Sequence, residues 1–125
     1  MNNLFIDSTL STPAVSFNID KGIFNIGGKS LPENATGFYD IIEKTMDEFI
    51  AEKSHSLLVI TCEFEYINTS SSKALYNILK KAVENLKHNV SIIWGYEDED
   101  EDLLEQGEDF ADALGVEFKF KIFAA

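Results

Sequence analysis

The fold is decided by the stretch LLVITCEFEYINTSSSKAL (residues 57–75), in which an apolar strand runs directly into a polar helix start. Residues 57–62 form an apolar run of strand length, a pattern typical of a parallel strand that is covered on both faces. Apolar residues then recur at helical spacing and predict a helix at about 70–87. Its predicted inner face comprises Leu75, Ile78, Leu79, Ala82, Val83 and Leu86.

Further strands and helices are predicted on either side of this stretch. Upstream, residues 15–19 and 23–26 alternate around a turn and predict a hairpin, with residues 4–6 as a short extended segment before it. The next helix has the predicted inner face Phe38, Ile41, Ile42, Thr45, Phe49 and Ile50. Downstream, strands at 90–94 and 116–122 flank a helix at 102–114, and the half-polar last strand is expected near a sheet edge.

The order of these elements defines the fold class. A hairpin followed by three helix–strand units implies parallel neighbours with helices packed on the sheet. The sequence therefore predicts an α/β sandwich with a mixed β-sheet and about three helices. Residues 1–125 are expected to form a single domain, and the order of the strands is left undetermined.

Composition excludes several classes of function. The formal net charge is −12, with ten lysines and no arginine, so nucleic acid is not an expected partner. The N-terminus lacks the pattern of a signal peptide and no apolar run approaches a membrane span. The single cysteine, Cys62, lies in the most apolar segment, where a buried structural thiol is expected. These features predict a cytoplasmic protein that is not embedded in a membrane.

Hydroxyl side chains cluster where the central helix begins. Asn68 or Thr69 is the expected N-cap, and the neighbouring serines lie near the positive end of the helix dipole. A phosphate would be tolerated electrostatically there and would add about −1.5 to −2 charges to the surface. Spacing alone fits either a plain helix cap, which is the commoner case, or a regulated phosphosite.

Other charged and glycine-rich segments give no positive case for an enzyme. The acidic run at 97–102 lacks the alternating spacing of a calcium loop, so a solvated loop is favoured over a metal site or a dock for a basic partner. Gly22, Gly27 and Gly28 do not fit a nucleotide-binding fingerprint. No cofactor and no metal are predicted. A small metal-dependent enzyme that uses the acidic segment remains an alternative.

The chain resembles the SiaC family of bacterial regulatory phosphoproteins nearly from end to end. The resemblance rests on residues 11–14 (STPA), 30–34 (SLPEN) and 66–74 (YINTSSSKA), and residues 94–96 (WGY) with the acidic segment behind them add to it. It implies a fold similar to anti-sigma-factor antagonist (STAS-like) domains. It also implies that Thr69 is phosphorylated by a cognate kinase and dephosphorylated by a metal-dependent phosphatase.

In this family the unmodified protein binds and activates a diguanylate cyclase, which would place the chain in cyclic-di-GMP signalling and biofilm formation. The resemblance makes Ser70 and Ser71 secondary acceptor candidates. The expected partner-binding residues are Glu33, Asn34, Asn68, Ser70, Ser71 and Lys73. An alternative with the same switch is an anti-sigma-factor antagonist that binds an anti-sigma kinase. The sign of the switch, the oligomeric state and the role of the acidic run stay open.

Overall fold

The computed structural model describes residues 3–123 of the chain. In that range the strands are β1 (Leu4–Ile6), β2 (Ala14–Asn18), β3 (Ile23–Ser30), β4 (Leu58–Ile67), β5 (Val90–Glu97) and β6 (Lys119–Phe123). The helices are α1 (Ala35–Lys53), α2 (Thr69–Leu86) and α3 (Glu101–Leu114), with a 3₁₀ turn at Lys87–Asn89 after α2.

The six strands form one mixed sheet in the order β1-β2-β3-β4-β5-β6. The pairs β1–β2 and β2–β3 are antiparallel, and β3–β4, β4–β5 and β5–β6 are parallel. The predicted α/β fold with a mixed sheet and three helices is therefore confirmed, and β6 lies at the edge as expected.

The core lies between the helices and one face of the sheet. Because every crossover joins sequential neighbours and crossovers are right-handed, all three helices fall on the same face. Aromatic contacts agree with this. Phe49 of α1 lies 6.0 Å from Phe17 of β2 between ring centroids, and Phe110 of α3 lies 5.5 Å from Trp94 of β5.

The prediction that the central strand is covered on both faces is wrong. Leu58, Ile60 and Cys62 of β4 are buried under the helices, but Val59 and Thr61 face the open side of the sheet and are half-buried. The apolar run was misleading because this sandwich has two layers, the helices and the sheet. On the face away from the helices, the side chains of a central strand are covered only in part, by side chains of the adjacent strands.

The predicted inner face of α1 needs correction, and two apolar residues of β6 are exposed. In α1, Ile41 is 48% exposed, whereas Tyr39 and Met46 are buried, because the inward stripe is centred on Ile42 and Phe49. In β6, Phe120 and Ile122 are 39% and 55% exposed, because an edge strand has a neighbour on one side only.

Candidate functional site

The three sequence blocks that carry the family resemblance meet at one end of the sheet. The backbone N–H of Leu31 donates to the carbonyl of Ser11 at 2.9 Å, which joins the first block to the second. The N–H of Asn68 donates to the carbonyl of Ser30 at 2.9 Å, which joins the second block to the third. Segments far apart in sequence thus form one surface around the start of α2.

Asn68 is the N-cap of α2. Its backbone is extended, and its side-chain Oδ1 accepts a hydrogen bond from the N–H of Ser71 at 2.9 Å. This bond satisfies one of the donors that a helix start otherwise leaves unpaired. Thr69 is the first residue of the helix, and both Thr69 and Ser70 are exposed. The sequence named Asn68 or Thr69 as the cap, and the structure assigns that role to Asn68.

Ser71 has a different environment from the two hydroxyl residues before it. It is fully buried, and the hydroxyl of Ser30 donates to Ser71 Oγ at 2.9 Å. The oxygen of Ser30 also lies 2.7 Å from the hydroxyl of Tyr39, so three buried hydroxyls join β3, α1 and α2. Burial raises the pKa of Tyr39 to about 12, against the opposing effect of its hydrogen bond to Ser30 and of the nearby Ser71 hydroxyl.

This burial disfavours Ser71 both as a secondary acceptor and as a partner contact. A kinase must bring the acceptor hydroxyl into its own active site, and a partner must reach the side chain it binds. Neither can happen to Ser71 unless the start of α2 opens. Ser70 and Lys73, by contrast, are exposed and remain accessible.

A groove of about 360 Å³ runs beside the helix start, between α1 and α2. Its lining includes Ser70 and Lys73 from α2 and Asp40 and Glu43 from α1. Lys73 thus adds a cation to the lining, whose two carboxylates are already in ion pairs with other lysines, Asp40 at 3.0 Å and Glu43 at 2.9 Å. An exposed hydroxyl, a cation and a cleft between two helices lie together, which suits a protein-binding surface better than a reaction centre.

The remaining expected contacts lie at the start of α1. Glu33 and Asn34 are exposed, and Asn34 is the N-cap of α1, with Oδ1 accepting from the N–H of Gly37 at 3.1 Å. Asn34 and Asn68 therefore have the same structural role at the starts of two adjacent helices.

The end of the acidic run at 97–102 caps the start of α3. Asp100 is the N-cap of α3, its Oδ1 accepting from the N–H of Leu103 at 3.1 Å, and Glu101 and Asp102 lie in the first turn. Negative side chains are stabilising at that position in the helix dipole. Within residues 3–123, no group of three or more metal-ligating side chains comes close enough to hold an ion. No helix in that range is long and apolar enough to cross a membrane.

Two residues of the site were not predicted from the sequence. Ser30 enters the sequence pattern only as part of a motif, and Tyr39 is absent from the predicted inner face of α1. Ser30 and Ser71 are 41 residues apart in the chain, and no local sequence pattern predicts a contact between residues so far apart. A signal did exist for Ser71, since it precedes Leu75, Ile78 and Ala82 by 4, 7 and 11 residues and so continues the buried stripe of α2.

The Asn68 cap predicts a measurable loss of stability. We expect Asn68→Ala to lower the free energy of unfolding by about 1 kcal/mol, because a helix start loses its side-chain acceptor. Urea denaturation followed by circular dichroism measures this loss. Asn34→Ala is the matched control and should cost a similar amount. A change below about 0.3 kcal/mol in Asn68→Ala alone would contradict the assigned cap.

Comparison with known proteins gives consistent matches over nearly the whole chain. The profile of the family described as SiaC family regulatory phosphoprotein matches residues 6–123. An uncharacterised protein of Pseudomonas aeruginosa (strain UCBPP-PA14) is 30% identical over 120 residues, which are 94% of this chain and 94% of that protein.

Solved structures of the same fold match equally well. Apo-SiaC from Pseudomonas aeruginosa is 29% identical, with a TM-score of 0.80 over 99% of this chain and 100% of that one. A crystal structure of the diguanylate cyclase SiaD in complex with its activator SiaC, also from Pseudomonas aeruginosa, contains a chain that is 28% identical. The TM-score for that chain is 0.85, over 96% of this chain and 99% of that one.

Proposed function

The chain belongs to the SiaC family of regulatory phosphoproteins, and we propose from this that it is a switch operated by phosphorylation of Thr69. As a member of that family it is a regulator and not an enzyme. In the unphosphorylated state it binds and activates a diguanylate cyclase in the cytoplasm, and so raises cyclic-di-GMP and promotes biofilm formation. A cognate kinase adds the phosphate and a metal-dependent phosphatase removes it.

The observation that supports this proposal most is the contrast among the hydroxyls at the start of α2. Thr69 is exposed at the first helical position, whereas Ser71 two residues later is fully buried. A kinase can therefore reach Thr69 without unfolding the helix. Ser70 is the remaining secondary candidate, and it faces the groove between α1 and α2.

The choice of a cyclase as partner follows from the relatives. SiaC of Pseudomonas aeruginosa is the activator of the diguanylate cyclase SiaD and has been crystallised with it. The present chain has the same fold over nearly its full length. A cyclase of the same class is therefore the partner that we propose here, bound through the α2 start and the adjacent groove.

A phosphate on Thr69 changes this surface in a defined way. The backbone amides and the dipole of α2 stabilise the dianion where it is attached. A partner packed against the helix start would have to desolvate that dianion, and the groove beside it sets the carboxylates of Asp40 and Glu43 against the single charge of Lys73. Phosphorylation is therefore expected to release the partner.

The test is phosphorylation of the purified protein by its cognate kinase with ATP, read by intact and peptide mass spectrometry. We expect one phosphate on the wild-type protein, none on Thr69→Ala and one on the matched variant Ser70→Ala. The phosphorylated protein should bind the cyclase at least about tenfold more weakly, which corresponds to ~1.4 kcal/mol. A phosphate that persists on Thr69→Ala would contradict the assignment.

A further inference from the structure

The outer edge of the sheet has a surface that the proposed switch does not use. In residues 3–123, β6 pairs with β5 on one side and has no strand on the other. An edge strand presents unpaired N–H and C=O groups that can accept another strand. Two large apolar side chains of β6, Phe120 and Ile122, are 39% and 55% exposed beside these groups.

A groove adjoins this edge on the helix side of the sheet. It has a volume of about 480 Å³ and lies between α3 and β6. Its apolar lining includes Val116, Phe118 and Phe120. The lining also has three carboxylates, those of Glu108 and Asp112 on α3 and of Glu117 before β6. A strand added outside β6 would project alternate side chains toward this groove.

The opposite face of β6 carries two lysines and, after them, Phe123. Lys119 and Lys121 are exposed and pair in register with Ile93 and Gly95 of β5, so they point to the open side of the sheet. A strand added at this edge would meet apolar side chains on one face, and two ammonium groups followed by the ring of Phe123 on the other.

This charge pattern disfavours a second copy of the chain as the occupant. Antiparallel pairing of two β6 strands through their centres places either Lys121 opposite Lys121 or Lys119 opposite Lys121. Like charges directly opposite each other on one face destabilise a strand pair. The net charge of −12 on each copy adds a further repulsion.

We infer that β6 is a docking edge for an extended segment of another protein, with acidic residues at alternate positions and apolar residues between them. The acidic residues face Lys119 and Lys121, and the apolar residues cover Phe120 and Ile122. Backbone bonds to the unpaired edge supply affinity, and the alternating side chains supply the choice of partner, as in other cases of strand addition. None of the residues around the α2 start takes part, so the edge and the switch can be engaged at the same time.

Two capped hexapeptides test the inference by titration into the ¹⁵N-labelled full chain. One alternates valine with glutamate and the other alternates valine with lysine. We expect the glutamate peptide to shift amide signals of β6 and α3 and to bind about tenfold more tightly than the lysine peptide. Long-range attraction to a chain of charge −12 alone would give the opposite preference.

The double variant Lys119→Glu/Lys121→Glu should reverse that preference by a similar factor. Both side chains are exposed, so the variant should keep its circular dichroism spectrum and its unfolding midpoint. Tighter binding of the lysine peptide to the wild-type protein, signals that shift away from β6 and α3, or no binding of either peptide at about 1 mM would overturn the inference. A dimer of the wild-type protein in sedimentation that the double variant loses would identify a second copy as the occupant instead.

Discussion

Trp94→Ala is expected to lower the free energy of unfolding by about 3–5 kcal/mol, the usual cost of deleting a fully buried indole. Trp94 is the largest fully buried side chain among residues 3–123. Its ring lies within 6.3 Å of Phe64, Phe110 and Phe118 between centroids, and Nε1 donates to the carbonyl of Leu103 at 2.9 Å. Because a domain of this size is stable by only about 5–15 kcal/mol, the loss is large. Guanidinium denaturation followed by circular dichroism measures it.

Gly107→Ala is a control for this prediction, because its expected effect on the free energy of unfolding changes sign when Trp94 is removed. A Cβ at Gly107 would lie 2.5 Å from Cδ1 and 2.7 Å from Nε1 of Trp94, so Gly107→Ala should cost the wild-type protein about 1–3 kcal/mol. In the Trp94→Ala background the obstruction is gone, and alanine should stabilise α3 by up to ~1 kcal/mol. If Gly107→Ala is equally destabilising in both backgrounds, contact with the indole is not the reason for the glycine.

Most of the fold could be predicted because its elements carry local signals. The periodicities of 2 and 3.6 residues located every strand and helix of residues 3–123 to within a few positions. The exposed second face of β4 could not be predicted in the same way. Val59 and Thr61 belong to a continuous apolar run in the sequence. Only the order of the strands, which is a long-range property, reveals that no helix among residues 3–123 covers them.

The candidate site likewise has some features that local sequence predicts and others that depend on long-range packing. The cap at Asn68 and the exposed hydroxyl at Thr69 follow from residues next to one another, so the sequence located both. The hydroxyl triad depends on Ser30 and Tyr39, which reach Ser71 only after β3, α1 and α2 have packed. Ser70 and Ser71 are equivalent neighbours in the sequence, whereas a rotation of about 100° per residue along α2 places the first outside and the second inside.

Ser71→Asp tests that difference and is expected to lower the free energy of unfolding by about 3 kcal/mol. A carboxylate at this position is buried and larger than the hydroxyl it replaces, and a buried charge without a cation is strongly destabilising. Hydroxyl donation from Ser30, which is itself bonded to Tyr39, and the α2 dipole offset part of that cost. Urea denaturation at pH 7 measures the loss. The loss of stability should shrink as the pH falls toward 4. Burial raises the pKa of the new carboxyl above its ordinary value of about 3.9, so the folded protein takes up a proton first and the buried group becomes neutral.

Ser70→Asp is the matched control, because it adds the same carboxylate one residue earlier on the same helix. Ser70 is exposed, and a negative charge in the first turn is favourable, so the unfolding free energy should change by less than about 0.5 kcal/mol. Equal midpoints for the two variants would contradict the closed hydroxyl triad. Unequal midpoints in the expected order would mean that a negative charge at Ser71 disrupts the start of α2, whereas a negative charge one residue earlier, at Ser70, leaves the fold intact.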